Sequence, residues 1–342
     1  MRKIRVLVVE DSMVFRNLLV QGLNQDRALE VVATASDPFE ARDKIIEYRP
    51  DVMTLDIELP RMSGLEFLRK LMPQYPLPVV IISALSEKVF DAMKAGAVDF
   101  VAKPQVTERE QLRNFLCSEL PVKIKVASTA RVSRYKKPVA FAADQHLSVR
   151  SDIDIIAIGA STGGTEAIAE VIRDFSTDIP GTVIVQHMPP GFTEMYANRL
   201  DSQSRVKVKE AKNGDMVAPG QVLIAPGGSE HMSIVKVGDN YKVVLKKGEK
   251  VNGHCPSVDV LFNSVADVAG AHAIGIILTG MGGDGAKGLL KMQKNGARTI
   301  GQDEASCIVY GMPKVAYDLG AVMYQEKLSD IAKKTYTLLN QR

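Results

Sequence analysis

The sequence predicts an α/β protein made of two doubly wound domains, each built around a mainly parallel sheet. Two observations support this fold class. Short β-branched segments alternate with segments of helical periodicity across residues 4–120, which is the pattern of βαβ units. The same alternation starts again at residue 153. A chain of 342 residues is also longer than one hydrophobic core usually serves, so length alone favours two domains.

Five strand and helix repeats fill the first domain, which we assign to residues 1–120. The repeats fit a five-strand, flavodoxin-like parallel sheet. The predicted strands lie at 6–9, 30–34, 52–55, 79–83 and 99–102, and the predicted helices at 15–23, 38–47, 64–72, 87–95 and 108–120.

A basic segment follows the first domain. Residues 121–150 contain seven lysines or arginines and a single acidic residue, Asp144. The segment lacks helical periodicity and contains Ser, Thr, Ala and Pro, as a solvated linker does. We therefore predict a flexible linker over 121–150 rather than a surface that binds nucleic acid.

The second domain, residues 151–342, has the pattern of a larger, mainly parallel α/β sheet. Its middle part has strand-like segments at 222–225, 232–237 and 241–246. The turn sequence Gly238-Asp239-Asn240 joins the last two as a hairpin. We expect this antiparallel hairpin to extend an edge of the parallel sheet.

Composition points to a cytoplasmic protein that does not insert into a membrane. The sequence contains no apolar run of about eighteen residues and no cleavable signal pattern. Its cysteines, Cys117, Cys255 and Cys307, fit neither a disulfide framework nor a zinc site. We expect them to be reduced thiols.

Acidic residues follow two strands of the first domain. Glu10 and Asp11 follow the first strand and Asp56 follows the third, so all three lie at the carboxyl edge of the predicted sheet. Carboxylates that lie together repel one another, and Mg²⁺ relieves that repulsion. Ser83 and Lys103 end the fourth and fifth strands at the same edge. With Mg²⁺ and a lysine to neutralise phosphoryl oxygens, an aspartate such as Asp56 can attack phosphorus.

These residues resemble those of the receiver domain of two-component response regulators. The resemblance covers about residues 1–120 and includes Glu10-Asp11, Asp56, Pro60-Arg61-Met62-Ser63-Gly64, Ser83-Ala84 and Lys103-Pro104. It implies that Asp56 accepts a phosphoryl group in the presence of Mg²⁺ and that Lys103 holds that group. It further implies that Ser83 and Phe100 form the conformational switch, and that a cis bond precedes Pro104.

A serine lies in a glycine-rich turn at the start of the second domain. Gly159-Ala160-Ser161-Thr162-Gly163 fits the G-x-S-x-G pattern between a predicted strand and a predicted helix. Such a turn exposes the serine hydroxyl, and N–H groups at the start of a helix can hold an oxyanion. The pattern alone is equally compatible with the phosphate-binding loop of a dinucleotide enzyme.

Two further strand ends offer the partners that a serine nucleophile needs, a histidine base and an orienting carboxylate. His187 follows the strand predicted beside the serine turn, and Asp284 lies in a glycine-rich loop after the strand at 272–278. Spacing does not select a unique set, because other residues could take these parts. The alternative bases are His231 and His254, and the alternative carboxylates are Asp215 and Asp259.

Five motifs of the second domain carry this chemistry: Gly159-Ala160-Ser161-Thr162-Gly163-Gly164, Gln186-His187-Met188-Pro189, Ala225-Pro226-Gly227-Gly228, Pro256-Ser257-Val258-Asp259 and Gly280-Met281-Gly282-Gly283-Asp284-Gly285. They resemble the chemotaxis protein-glutamate methylesterase family, which implies that the second domain is an α/β domain of the hydrolase type. The resemblance implies Ser161 as nucleophile, His187 as base and Asp284 as orienting carboxylate. It also implies that Thr162 and Met281 support the oxyanion.

The resemblance further implies a reaction and its partners. The chain would hydrolyse glutamate methyl esters on chemotaxis receptors and deamidate receptor glutamines, once a chemotaxis histidine kinase has phosphorylated it. No cofactor is implied for the second domain. One position departs from the family, which commonly has arginine where this chain has Cys255, and a thiol cannot form bidentate contacts.

Two other classes of protein are disfavoured. A DNA-binding response regulator would need a helix-turn-helix, and the second domain shows glycine-rich strand-to-helix turns instead. We therefore expect no nucleic-acid partner. A dinucleotide-dependent oxidoreductase could use the turn at 159–164, but the full G-x-G-x-x-G pattern is absent and His187 and Asp284 would have no role.

Overall fold

The computed structural model describes residues 2–84, 86–104, 108–132 and 152–341. The chain divides into two compact units, Met1–Pro138 and Val139–Arg342. None of the described helices combines the length and the apolar character needed to cross a membrane.

The first unit contains a parallel five-stranded sheet with the strand order β2-β1-β3-β4-β5, which confirms the flavodoxin-like prediction. Its strands are β1 (Ile4–Val9), β2 (Leu29–Ala35), β3 (Val52–Asp56), β4 (Val79–Ser83) and β5 (Asp99–Ala102). Its helices are α1 (Met13–Leu23), α2 (Pro38–Tyr48), α3 (Gly64–Leu71), α4 (Lys88–Lys94), α5 (Arg109–Asn114) and α6 (Leu120–Ser128), with a π-helical turn at Phe115–Glu119.

Local sequence explains where these elements begin. Every residue of β3 and β4 is buried, as expected for the central strands of a parallel sheet covered on both faces. The Asp37 side chain caps α2 and Pro38 occupies its first turn, where a missing N–H costs nothing. The strand order reverses at β1, so the carboxyl ends of β1 and β3 form the crevice in which such sheets bind ligands.

The predicted start of the linker, residue 121, lies within a helix of the first unit. We expected residues 121–150 to be a linker, but α6 extends into that segment and packs on the sheet. Leu120, Ile124 and Ala127 are fully buried, and their spacing is that of one helix face. Lys123 forms an ion pair with Asp99 at 2.8 Å. The linker prediction is therefore wrong for residues 121–128, because the basic residues masked an apolar face, and residues 133–150 lie outside the described ranges.

The second unit contains a larger parallel sheet with the strand order β15-β14-β13-β6-β7-β10-β8. Its strands are β6 (Ile155–Ala160), β7 (Gly181–Gln186), β8 (Lys207–Glu210), β10 (Gln221–Ile224), β13 (Ala273–Ile277), β14 (Arg298–Gln302) and β15 (Tyr324–Glu326). The helices of this unit are α7 (Gly164–Arg173), α8 (Phe192–Gln203), α9 (Val258–Val268), α10 (Ala286–Lys294), α11 (Met312–Asp318) and α12 (Leu328–Leu339).

The antiparallel hairpin exists, but it does not extend an edge of the parallel sheet. It belongs to a separate sheet with the order β11-β12-β9, formed by β9 (Met216–Val217), β11 (Glu230–Val237) and β12 (Asn240–Lys247). Met232 and Ile234 are buried in one core with Leu261 and Phe262 of α9. The expected edge is thus wrong, because the apolar face of the hairpin packs against a helix.

The order of the parallel sheet determines where the site lies. β6 is central, with β7 on one side and β13 on the other. The strand order reverses at β6, so the loops that follow β13, β6 and β7 meet at one edge.

Candidate functional site

The serine turn follows β6 and is held closely by the loop after β13. The Ser161 N–H donates to the Thr279 carbonyl at 3.0 Å. Gly163 has a φ of 77°, which allows the chain to turn sharply into α7. A Cβ on Gly280 would lie 2.7 Å from the Ser161 Cβ, so only glycine permits this approach. The loop that carries Asp284 is thereby held beside the serine.

The structure brings His187 and Asp284 together. His187 Nε2 lies 2.9 Å from Asp284 Oδ2, and the two side chains are 6% and 1% exposed. His187 Nδ1 is buried and has no hydrogen-bond partner among the described residues. Because Nε2 must carry a proton to donate to a carboxylate, Nδ1 is the nitrogen that can accept a proton. No hydrogen bond joins Ser161 Oγ to this imidazole in the described ranges, and such contacts are often longer in the absence of substrate.

Asp284 is surrounded by donors in addition to His187. It accepts hydrogen bonds from Asn252 Nδ2 at 2.9 Å, from Ser257 Oγ at 2.7 Å and from the Val258 N–H at 2.7 Å. Burial alone would raise the pKa of Asp284, but the hydrogen bonds from His187, Asn252 and Ser257 outweigh it and hold that pKa well below the ordinary aspartate value. The carboxylate is therefore charged and can stabilise an imidazolium.

The alternative histidines occupy different positions. His231 Nδ1 accepts from the Ser257 N–H at 3.1 Å, and its Nε2 lies 2.8 Å from the Glu249 carbonyl. Both ring nitrogens are thus engaged by the backbone. His254 stacks face to face on His187, with ring centroids 3.6 Å apart and an interplanar angle of 7°. His187 is bonded to a carboxylate, Asp284, beside the serine turn.

The alternative carboxylates also have other partners. Asp259 accepts from the Gly288 N–H at 2.7 Å, and burial raises its pKa. Asp215 forms an ion pair with Lys209 at 2.7 Å. In the described residues neither carboxylate bonds to a histidine, so the geometry favours Asp284 as the orienting group.

The two residues expected to support an oxyanion lie on the two loops that flank the serine. Thr162 follows Ser161, is 4% exposed, and its carbonyl accepts from Thr279 Oγ1 at 3.0 Å. Met281 follows the close-packed Gly280, and within the described residues its N–H donates to no acceptor. An unengaged N–H at this position is what an oxyanion requires.

The carboxyl edge of the first unit assembles the predicted acidic pocket. Carboxylate oxygens of Glu10, Asp11 and Asp56 lie within 4.8 Å of one another. Lys103 Nζ lies 2.9 Å from both Glu10 oxygens and 2.7 Å from Asp56 Oδ2. The Lys103 N–H donates to the Ser83 carbonyl at 2.7 Å, which joins the ends of β4 and β5.

The predictions for this pocket also included Phe100 and the peptide bond before Pro104. The predicted switch residue Phe100 is 5% exposed and contacts Phe90 edge to face at 6.2 Å. The bond before Pro104 is not cis, contrary to the expectation, and in the described residues the cis peptide bond precedes Pro256.

The chemistry of this pocket fits a hard divalent cation. Burial raises the pKa of Glu10 to about 7, with hydrogen bonds from Lys103 opposing this and the charge of Asp56 adding to it. Glu10 is fully buried, and it shares the single positive charge of Lys103 with Asp56. Three carboxylates short of positive charge are a donor set that suits Mg²⁺, with Glu10, Asp11 and Asp56 as its ligands.

In the absence of metal, we expect the stability of the first unit to fall as pH rises from about 4.5 to about 7. The folded pKa of Glu10 exceeds the ordinary value of 4.5, so the folded state binds more protons in this window. The loss should be at most about 3–4 kcal/mol. Pulse proteolysis in urea with a chelator, at pH 5 and pH 8, measures it.

Glu10→Gln should remove this pH dependence, because the amide stays neutral. The exposed Glu47→Gln provides the matched control. A Glu10→Gln variant that follows the wild-type pH profile would show that another group is responsible.

Comparison with known proteins adds independent findings. Residues 156–335 match the family model described as CheB methylesterase, and residues 6–116 match that of the response regulator receiver domain. A protein-glutamate methylesterase/protein-glutamine glutaminase 2 of Syntrophomonas wolfei is 61% identical over 341 residues, which cover 100% of this chain and 99% of the relative. A protein-glutamate methylesterase/protein-glutamine glutaminase of Syntrophotalea carbinolica is 51% identical and covers the same shares.

A solved structure resembles the second unit. The crystal structure of the Thermotoga maritima CheB methylesterase catalytic domain has a TM-score of 0.53 and 38% sequence identity. The match covers 54% of this chain and 98% of that one. The sheet, the serine turn and the strand-end loops described above therefore lie in a segment that has a solved counterpart.

Proposed function

This chain belongs to the CheB methylesterase family, and on that premise we propose that it hydrolyses glutamate methyl esters on chemotaxis receptors and deamidates receptor glutamines, with phosphorylation of Asp56 as the activating signal. The observation that carries the proposal is the buried hydrogen bond of 2.9 Å between His187 and Asp284, beside the turn that holds Ser161. We place the reaction in the cytoplasm.

In the proposed reaction Ser161 Oγ attacks the ester carbonyl while His187 Nδ1 takes the serine proton. Asp284 holds the imidazole through Nε2 and stabilises the imidazolium that forms. The N–H of Met281 donates to the developing oxyanion. Thr162, in the turn that precedes α7, is the second residue that we propose to stabilise this oxyanion. Collapse of the tetrahedral intermediate breaks the bond to the methoxy oxygen, which leaves as methanol with the proton from His187.

The second half of the reaction regenerates the enzyme. Water attacks the acyl group on Ser161 while His187 takes its proton, and the serine then leaves with that proton. The products are glutamate and free enzyme. A glutamine side chain follows the same steps with ammonia as the leaving group, so one site supports both activities.

The proposed control site is the acidic pocket of the first unit. Glu10, Asp11 and Asp56 would hold Mg²⁺, which would supply the positive charge needed to neutralise the incoming phosphoryl oxygens. Lys103, now paired with Asp56 at 2.7 Å, can hold a phosphoryl oxygen instead. Ser83 and Phe100 respond to the new charge as the switch pair. The phosphate donor in this proposal is a chemotaxis histidine kinase.

The test of the proposed function is incubation of the full chain with methylated cytoplasmic fragments of chemotaxis receptors. We expect methanol from methyl esters and ammonia from glutamine-containing fragments. Fragments that carry only glutamate at the same positions are the control. Absence of methanol from phosphorylated enzyme with methylated receptor would contradict the proposal.

We expect Asp56→Ala to abolish activation without abolishing basal activity. The substitution removes the carboxylate that accepts the phosphoryl group and leaves the second unit unchanged. The measurement is the rate of methanol release before and after addition of a small-molecule phosphodonor with Mg²⁺. Asp43→Ala, at an exposed aspartate of α2, is the matched control and should remain activatable. Activation of Asp56→Ala to the wild-type rate would place the phosphorylation site elsewhere.

A further inference from the structure

One tight turn reaches both members of the histidine and carboxylate pair. Val251 and His254 exchange two backbone hydrogen bonds of 3.0 Å each. Between them, Asn252 and Gly253 have φ values of 52° and 84°. Positive φ at both central residues is the signature of a type I′ turn, for which Asn-Gly is the preferred sequence. We call residues 251–254 the clip.

The first side chain of the clip bonds to the carboxylate. Asn252 Nδ2 lies 2.9 Å from Asp284 Oδ1 and 2.7 Å from Asp259 Oδ2. One amide group thus uses both of its N–H bonds to link two buried carboxylates that repel each other. The amide acts together with Ser257 Oγ and the N–H groups of Val258 and Asp259 to fix the rotation of the Asp284 carboxylate, whose Oδ2 bonds to His187.

The second side chain of the clip covers the imidazole. The His254 ring lies parallel to the His187 ring at 3.6 Å. The hydrogen bond to Asp284 fixes the edge of the His187 ring but permits the ring to tilt about that bond. The His254 ring packs against the face of the His187 ring and prevents this tilt. The clip therefore restrains His187 in the two directions that determine where Nδ1 points.

The position of the clip separates this role from core packing. Val251, Asn252 and Gly253 are exposed, so their replacement removes little buried apolar surface. A Cβ on Gly253 would meet no atom within 4 Å. Toward the interior, Asn252 bonds to Asp284 and Asp259, and His254 stacks on His187.

We propose that the clip is a positioning device for the reaction, in which Asn252 orients Asp284 and His254 holds the plane of the His187 ring. This proposal rests on the proposed function and adds two residues to it. His254 is a positioning residue here and transfers no proton. Accurate orientation of a general base contributes to turnover rather than to substrate binding.

The kinetic test uses methanol release by the full chain from methylated receptor fragments. We expect Asn252→Gly, which suits the positive φ and removes only the amide, to lower kcat about tenfold with KM changed by less than about twofold. His254→Ala should behave alike, and His254→Phe, which keeps a flat ring, should recover most of the lost kcat. Asn240→Gly on the exposed end of β12 is the matched control.

A second measurement needs no turnover. The proton on His187 Nε2, hydrogen-bonded to Asp284, gives a downfield imidazole signal in proton NMR. We expect that signal in the wild type, and we expect it to broaden through exchange with water in Asn252→Gly and His254→Ala. The melting temperature of Asn252→Gly should fall, because two buried carboxylates lose a donor, but both variants should remain folded at the assay temperature. Failure of the proposed function would show as a wild type that has the signal but releases no methanol.

Two results would overturn the role of the clip. If His254→Phe were as inactive as His187→Ala, His254 would itself be the base. If Asn252→Gly and His254→Ala both kept the wild-type kcat and a sharp imidazole signal, the clip would have no part in positioning.

Discussion

Asp284→Asn is expected to lower the kcat of ester hydrolysis on the order of 10³-fold to 10⁴-fold. The substitution preserves the shape of the side chain but removes its charge. An uncharged amide neither stabilises the imidazolium of His187 nor fixes the tautomer in which Nδ1 is free to accept a proton. Turnover should therefore fall while substrate binding changes little.

The environment of residue 284 makes an amide especially unsuitable. The groups that point at the carboxylate are all donors: His187 Nε2, Asn252 Nδ2, Ser257 Oγ and the N–H groups of Val258 and Asp259. An asparagine offers one acceptor oxygen, and its NH₂ group would face other donors. We expect a loss of stability of about 2–4 kcal/mol from the unpaired buried groups.

The measurement combines steady-state methanol release with urea unfolding. Asp267→Asn, at an exposed aspartate that pairs with Lys291, is the control for a simple change of charge. A kcat for Asp284→Asn within about tenfold of the wild type would contradict the role of this carboxylate.

Ser161→Ala and His187→Ala are each expected to reduce kcat on the order of 10³-fold or more, and the double variant should be no slower than the slower single variant. The two groups act as one unit, because the hydroxyl is a weak nucleophile without the base and the base has no proton to take without the hydroxyl. Residual activity would come from the oxyanion donors and from substrate binding.

Both single variants should remain folded. In the described residues Ser161 Oγ makes no hydrogen bond, so alanine leaves no buried partner unsatisfied. Rate losses that multiply in the double variant would show that serine and histidine act independently. Near-wild-type turnover by His187→Ala, with loss in His254→Ala, would assign the base to His254.

Much of the fold follows from residue pattern alone. The strands at 79–83 and 99–102 lie where they were predicted, because runs of β-branched residues between turn residues leave little choice of boundary. The extent of α6 differs from the prediction because Lys123 and Lys125 gave the segment a linker-like composition and obscured the buried face formed by Leu120, Ile124 and Ala127. Tertiary packing determines that this segment is helical. It also determines where the hairpin lies, because the apolar face of the hairpin packs against α9, and strand periodicity does not show which element covers a strand.

The site could be predicted in part. Strand ends identified His187 and Asp284 as candidates, since adjacent parallel strands bring their carboxyl ends together. Sequence spacing could not separate His187 from His254, and in the folded chain the two rings are stacked 3.6 Å apart. Asn252 was missed. Its Asn-Gly sequence signals a turn, but only the folded chain shows that the turn places its amide between Asp259 and Asp284.

The most direct measurement of the central claim locates the acyl group during the first turnover. A glutamyl methyl ester peptide is mixed with the full chain, the reaction is quenched in acid within one turnover, and the digested enzyme is mapped by mass spectrometry. We expect the peptide that contains Ser161 to gain the mass of the substrate acyl group, with one methanol released per adduct, and Ser161→Ala to show neither. An acyl group on another side chain, or first-turnover methanol from Ser161→Ala at the wild-type rate, would contradict the assignment of Ser161 as the nucleophile.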